Sequence, residues 1–345
     1  MKNRIEWIDW CKSFAIFFVV WLHIHSNEVV DMVINGFIMP LFFIVSGYLF
    51  KFENNPSGTR FFIKRFRQLV VPYLWINIIA FLLWVFFLRN YGSNPLDEIE
   101  WHSPLVAIFT GVGPLLVHDI PLWSLLSFFV VEMLFYFLYY LHLRWGGILI
   151  FSFLLYCILV SFIPDTIGSL PMVVGPSIAG LIFYALGFGW RESIRPKILL
   201  PQSPKGRMIF LFAGLVVCLG LFVPAVISIG NISFYICRIG NLPGFFISSL
   251  SGSVFIIIIC KLISHFSLST PPLIRMISIG TLLICGFHLI IFAGIKGVML
   301  LGFNISPDKF TSGFWPGLIL ALIIVLFSLP IIWFIRKYAR PLIDK

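Results

Sequence analysis

Long apolar runs, separated by short polar clusters, pattern this chain from end to end. The runs are continuous rather than alternating, so they read as helices and not as the strands of a closed barrel. Those are the two structures that satisfy every backbone polar group inside lipid. A helix needs roughly 20 residues to cross a bilayer. Ten spans of about that length can be placed, at 5–24, 32–50, 68–88, 121–142, 146–163, 168–190, 208–229, 242–264, 273–295 and 314–335. The predicted fold class is all-α, a polytopic integral membrane helix bundle read as one domain over 1–345. Composition strengthens this: the chain is 60% hydrophobic and 11% charged, with a mean hydropathy of +1.03. A soluble chain of this length carries far more charge.

The net charge of +10 reads as topology rather than as a nucleic-acid surface. Ten spans leave both ends of the chain on one side. Of the 24 lysines and arginines, 19 fall on that side, from Lys2 and Arg4 to Arg340 and Lys345. Arg89, Arg238, Lys296 and Lys309 fall on the other, and Lys12 lies within a span. The positive-inside rule then makes both termini cytoplasmic. MKNR before an apolar stretch imitates a signal peptide, but Asp9 and Lys12 interrupt the apolar part, so a retained first span is expected. The longest outer connection, Arg89 to Ile120, carries Asp97, Glu98, Glu100, His102, His118 and Asp119. Within it PLVAIFTGVGPLL is apolar but too short to span, which predicts an interfacial or re-entrant lid. The six cysteines lie mostly in apolar runs without metal-binding or disulfide spacing, and no metal site is expected.

Candidate chemistry concentrates in the first span, IEWIDWCKSFAIFFVVWLHIH. Asp9, Lys12 and His23 fall within about 60° of one another around a helix, at 100° per residue, whereas His25 points about 160° away from His23. Ionisable groups are costly inside lipid, so this stripe should face a protein interior or a wet cavity. Two readings stand for Asp9 and Lys12: mutual neutralisation at i, i+3 spacing, or service to a ligand. His23 is suited to act as a general base on a hydroxyl or to carry an acyl group itself. Lys12, with Lys64, Arg65 and Arg67 after the second span, would make a basic inner mouth for a phosphorylated ligand. Lys12 and His23 are about 16 Å apart along the helix. A ligand with a charged head and a long thin arm, such as acyl-coenzyme A, could reach both. Glu132 and His288 are the other ionisable groups deep in spans. They read either as hydrogen-bonded core groups or as part of an acceptor pocket.

Five segments resemble the acyltransferase-3 family of multi-spanning acyl-coenzyme A-dependent transferases. Asp9, Lys12 and His23 match the first-span pattern of an acidic residue, a basic residue three on and a histidine eleven further. GFIMPLFFIVSGYLF (36–50), KRFRQLVVPYL (64–74) and PLWSLLSFFVVE (121–132) match three further motifs. IGTLLICGFHLII carries His288 where many members have a histidine. Lys12 followed by Ser13, in place of an arginine, points to the branch similar to sugar O-acetylases, for which no fused extracytoplasmic domain is expected. The resemblance implies that His23 is essential near the transferred acyl group, that Lys12 lies near the coenzyme, and that Asp9 orients Lys12. It implies acetyl-coenzyme A as donor substrate with no permanently bound cofactor, a sugar hydroxyl in a lipid-linked or cell-surface glycan as acceptor, and the bacterial inner membrane as location. A homo-oligomer is compatible with it. A glycan transporter or flippase is the alternative from another class, since it too needs charges within spans.

Overall fold

The computed structural model describes residues 4–90, 99–197, 201, 203–266 and 269–342. Lys2, Asp97, Glu98 and Lys345 lie outside the described residues. The long helices run in chain order as α1 (Glu6–Leu22), α2 (Glu28–Asn35), α3 (Ile38–Leu49), α4 (Gly58–Arg65), α5 (Val71–Phe86), α6 (His102–Thr110) and α7 (Trp123–Tyr140). They continue as α8 (Trp145–Phe162), α9 (Val174–Gly189), α10 (Pro204–Ile229), α11 (Leu242–Phe266), α12 (Pro272–Gly297), α13 (Asp308–Thr311) and α14 (Phe314–Tyr338). Among the described residues no strand forms; a single two-residue bridge joins Ser233 and Arg238.

Nine helical segments among the described residues are long and apolar enough to cross a membrane. They correspond one to one with the second to tenth expected spans. The first differs: α1 has only 17 residues and packs among α3, α11, α12 and α14. It is an inner helix, enclosed by the others, and this is why it tolerates Asp9 and Lys12. By contrast α10 turns Ile209, Phe212, Val216 and Leu219 outward, as a lipid-facing helix does.

Two spans are not continuous α-helix. The second breaks between α2 and α3 at Gly36–Phe37, and with proline at position 40 the Gly36 carbonyl has no helical partner among the described residues. Serines of α11 satisfy it: Ser248 and Ser249 donate to the Gly36 carbonyl at 3.3 Å each, and Ser253 adds a bond of 3.4 Å to the Phe37 carbonyl, which also accepts from the Leu41 N–H. The third span begins ten residues earlier than expected, at Gly58, and includes a π-helical turn at Phe66–Val70. Pro72 has no N–H to give to the turn beneath it, and the helix widens there.

Close backbone approach holds α3 to α9. A Cβ on Gly47 would lie 2.0 Å from the Tyr184 carbonyl oxygen, and one on Gly187 would lie 2.0 Å from that of Ile44. Small residues at such crossings supply the packing that a hydrophobic effect cannot supply between helices in lipid. The outer connection also enters the bundle. Tyr73 donates from its hydroxyl to the Ile108 carbonyl of α6 at 3.0 Å. Tyr73 lies 13 residues, about 20 Å, from the end of α5, so α6 is re-entrant rather than interfacial.

Candidate active site

A cavity of about 600 Å³ runs beside α1. Lys12 and His23 both line it, together with Arg65 and Glu132. Phe42, Phe128 and Leu125 also line it, so its wall is mainly apolar. This has the size and the mainly apolar lining of a small-molecule site.

His23 is the C-cap of α1, where the helix has run out of partners for its last groups. Its Nδ1 donates to the Val19 carbonyl at 2.7 Å. That bond fixes the tautomer: Nε2 carries the lone pair. His25 departs from the expected geometry. The helix ends at Leu22 and His25 takes a left-handed backbone conformation (φ 52°). Its ring therefore lies 6.5 Å from that of His23, lines the same cavity, and bonds Asp31 at 2.9 Å.

His288 stands behind His23, with ring centroids 5.1 Å apart and planes at 68°. Its Nδ1 donates to the carbonyls of Cys285 (2.8 Å) and Ile284 (3.0 Å), and its Nε2 is buried without a partner. It is not among the residues lining the cavity, so the expected direct contact with an acceptor is not what the geometry provides.

Asp9 also needs correction. It does not pair with Lys12. Arg4, from the segment before α1, grips both carboxylate oxygens, and Ser278 of α12 donates to Oδ1 at 2.6 Å. Asp9 thus ties the start of α1 to α12, and it does not line the cavity. Lys12 faces the cavity with no carboxylate within ion-pair distance among the described residues. A cation directed into a cavity is an anion site in waiting.

The basic cluster divides. Arg65 lines the cavity, where its Nε lies 2.7 Å from Glu132 Oε2 and its Nη1 donates to Gln68 at 3.0 Å. The Nε–H is not aimed along the short contact, so charge rather than an aligned hydrogen bond holds the pair. Lys64 and Arg67 instead line a separate cavity of about 230 Å³ with Arg60. The expected single basic mouth is therefore Lys12 and Arg65 only. Arg67 lies about 160° from Arg65 around a helix, so it does not share that residue's face.

Sequence reasoning missed Arg4 and Ser278, the partners of Asp9, and it missed the loop Ile232–Arg238. That loop dips inward, with Ser233, Phe234 and Tyr235 lining the cavity. Its signal was a pair of aromatic residues, Phe234 and Tyr235, in a short connection flanked by Gly230 and Gly240.

The family profile described as acyltransferase domain matches residues 5–337. Neither the curated proteins nor the solved structures compared with the chain gave a match. The matched region contains nearly the whole helix bundle and every cavity residue named above; the chain belongs to the acyltransferase-3 family and is a multi-pass membrane acyltransferase.

Proposed function

We propose that this protein is a bacterial inner-membrane O-acetyltransferase. It takes acetyl from cytoplasmic acetyl-coenzyme A and places it on a hydroxyl of a sugar in a lipid-linked or cell-surface glycan. One observation carries the reading: Lys12 and His23 line one cavity, about 16 Å apart along α1. That separation suits a donor whose phosphates and thioester lie at opposite ends of a thin arm.

In this reading Lys12 and Arg65 draw the phosphates, with lysine acting as a point charge and arginine offering its planar fork. Glu132 keeps Arg65 turned to the cavity wall. The apolar wall, Phe42 and Phe128 among its residues, holds the pantetheine arm. His23 Nε2 removes the proton from the acceptor hydroxyl as the oxygen attacks the thioester carbonyl. The carbonyl–sulfur bond then breaks, and the departing thiolate takes that proton from the imidazolium. Ester and coenzyme A are the products, with no net proton change. His288 and Asp9 act indirectly, His288 by backing the His23 ring and Asp9 by anchoring α1.

The test is acetyl transfer from labelled acetyl-coenzyme A by purified protein and by its His23→Ala variant. General-base catalysis contributes roughly 10²–10⁴-fold, so a loss of at least about 100-fold is expected. Activity within a few-fold of the unaltered protein would rule out His23 as the base.

A further inference from the structure

The third span is longer than a bilayer core. It runs from Gly58 to Phe86, 29 residues, or about 43 Å at 1.5 Å per residue, against a hydrocarbon layer about 30 Å thick. From Gln68 to Phe86 the sequence carries no charged side chain, and these 19 residues cover about 28 Å. The surplus therefore lies at the Gly58 end. Arg60, Lys64, Arg65 and Arg67 all fall there, at the depth of the lipid headgroups.

Arg60, Ile63, Lys64, Arg67 and Gln68 follow i, i+3, i+4, i+7, i+8 spacing, which is one stripe of a helix. Together they line the separate cavity of about 230 Å³. Arg65 belongs to the other cavity, beside Glu132. The inner side of α4 is held by Phe61, which is buried and stacks on Tyr136 of α7 at 4.7 Å. The Arg60 and Arg67 guanidiniums have no ion-pair or hydrogen-bond partner among the described residues. Lys64 also acts electrostatically on Glu132, so the site rests chiefly on the two arginines. No carboxylate lines this cavity. Like charges at helical neighbour spacing repel one another, and an anion among them would turn that repulsion into attraction.

Size and surroundings identify the anion. The cavity is smaller than the roughly 300–1,000 Å³ that encloses a whole small molecule, so it takes one part of a larger ligand. Beside it Phe62, Ile63 and Phe66 are exposed, with the two phenyl rings stacked at 5.9 Å and 22°. Exposed apolar side chains at the headgroup boundary have acyl chains as neighbours. Phosphate at the arginines and hydrocarbon at the rings describe a phospholipid. Three cations without a carboxylate also repel a headgroup that ends in an ammonium. Acetyl-coenzyme A offers phosphates but no long chain to cover the rings, and its proposed partners Lys12 and Arg65 line the other cavity.

We propose that the groove of Arg60, Lys64 and Arg67 binds the phosphate of one anionic, amine-free phospholipid, whose acyl chains lie over Phe62, Ile63 and Phe66. The groove opens on the side that the positive-inside rule makes cytoplasmic. This goes beyond the general attraction of a basic membrane face for anionic lipid, because it assigns one lipid to one stripe. It does not depend on the acetyltransferase reading, and neither falls with the other.

The test titrates the full chain in detergent with dioleoyl phosphatidylglycerol or dioleoyl phosphatidylcholine and counts bound lipids by native mass spectrometry. One phosphatidylglycerol should bind at least about tenfold more tightly than phosphatidylcholine. Arg60→Gln/Arg67→Gln should weaken that adduct by at least about tenfold, whereas Arg60→Lys/Arg67→Lys, which keeps the charges, should stay within about threefold. Arg336→Gln/Lys337→Gln removes two cations from the end of α14 on the same side, and should change binding by under about twofold. Equal binding of the two lipids, equal losses in the two glutamine pairs, or a lysine pair as weak as its glutamine counterpart would overturn the proposal. Glycerol 3-phosphate and coenzyme A, added as soluble phosphates, should leave the adduct in place. Displacement by either would assign the groove to that soluble ligand and overturn the lipid assignment.

Discussion

Replacing Arg65 with methionine isolates the most consequential ion pair beside the cavity. Its Nε lies 2.7 Å from Glu132 Oε2, and the two side chains are 26% and 6% exposed. At an effective dielectric of about 20, unit charges at this separation attract by about 6 kcal/mol. Withdrawing both groups from water offsets much of that, so the net value of the pair against apolar replacements is near zero. Removing one partner is different, because Glu132 is then left buried and uncompensated, at a cost of about 3–5 kcal/mol. The misaligned Nε–H places the expected value at the low end, about 3 kcal/mol. Arg65→Met and Glu132→Leu should therefore each destabilise, while the double variant should return close to the starting stability. A double-mutant cycle on reversible unfolding in mixed micelles measures this, and a coupling of about 2 kcal/mol or more is expected. The same proteins separate stability from function: the double variant should recover its fold yet keep a raised KM for acetyl-coenzyme A, since the cation at the cavity wall is gone. A coupling below about 0.5 kcal/mol, or a double variant with an unaltered KM, would refute the assignment of this pair.

Gly187→Ala should loosen the α3–α9 crossing, because the new Cβ would meet the Ile44 carbonyl oxygen at 2.0 Å. Overpacking of this kind costs about 1–3 kcal/mol, to be read as a lower midpoint in thermal unfolding. Asp9→Asn should lower stability by about 1–3 kcal/mol with little effect on the KM for acetyl-coenzyme A, whereas Lys12→Met should raise that KM. The reverse pattern in steady-state kinetics would restore the Asp9–Lys12 pairing that the geometry denies. Asp119 is fully buried, its carboxylate oxygens have no hydrogen-bond partner among the described residues, and burial pushes its pKa well up. The unfolded chain gives up that proton near pH 4 and the folded chain holds it to higher pH, so this group's contribution falls as pH rises from about 4, by about 1.4 kcal/mol per pH unit. His118, lowered to about 4 by burial, acts in the opposite sense: its contribution is complete above about pH 6.5 and is lost as pH falls toward 4. Asp119→Asn should accordingly raise the unfolding midpoint more at pH 8 than at pH 4, and equal shifts at both would contradict the burial argument.

The parts of this protein legible in its sequence are those where lipid makes placement costly. Apolar length located nine crossings because a backbone in hydrocarbon has so few alternatives to a helix. The stripe on α1 was legible for the same reason: a lysine and a histidine that cannot face lipid must face one another's cavity, and Lys12 and His23 do. The illegible parts are where 100° per residue stops applying. His25 left its expected direction because the helix ends three residues before it, at Leu22, and its own left-handed backbone turned the ring back toward His23. Arg67, two residues from Arg65, lies about 160° from it around a regular helix, so periodicity itself already separated the two. Asp9 could not be read from i, i+3 spacing, since Arg4 offers two aligned donors where Lys12 offers one flexible ammonium. Both failures lie toward the ends of α1, and at His25 the freed backbone turns the side chain into the cavity. The residues that periodicity misplaces are therefore the ones to examine first when other chains of this family are read for their acceptors.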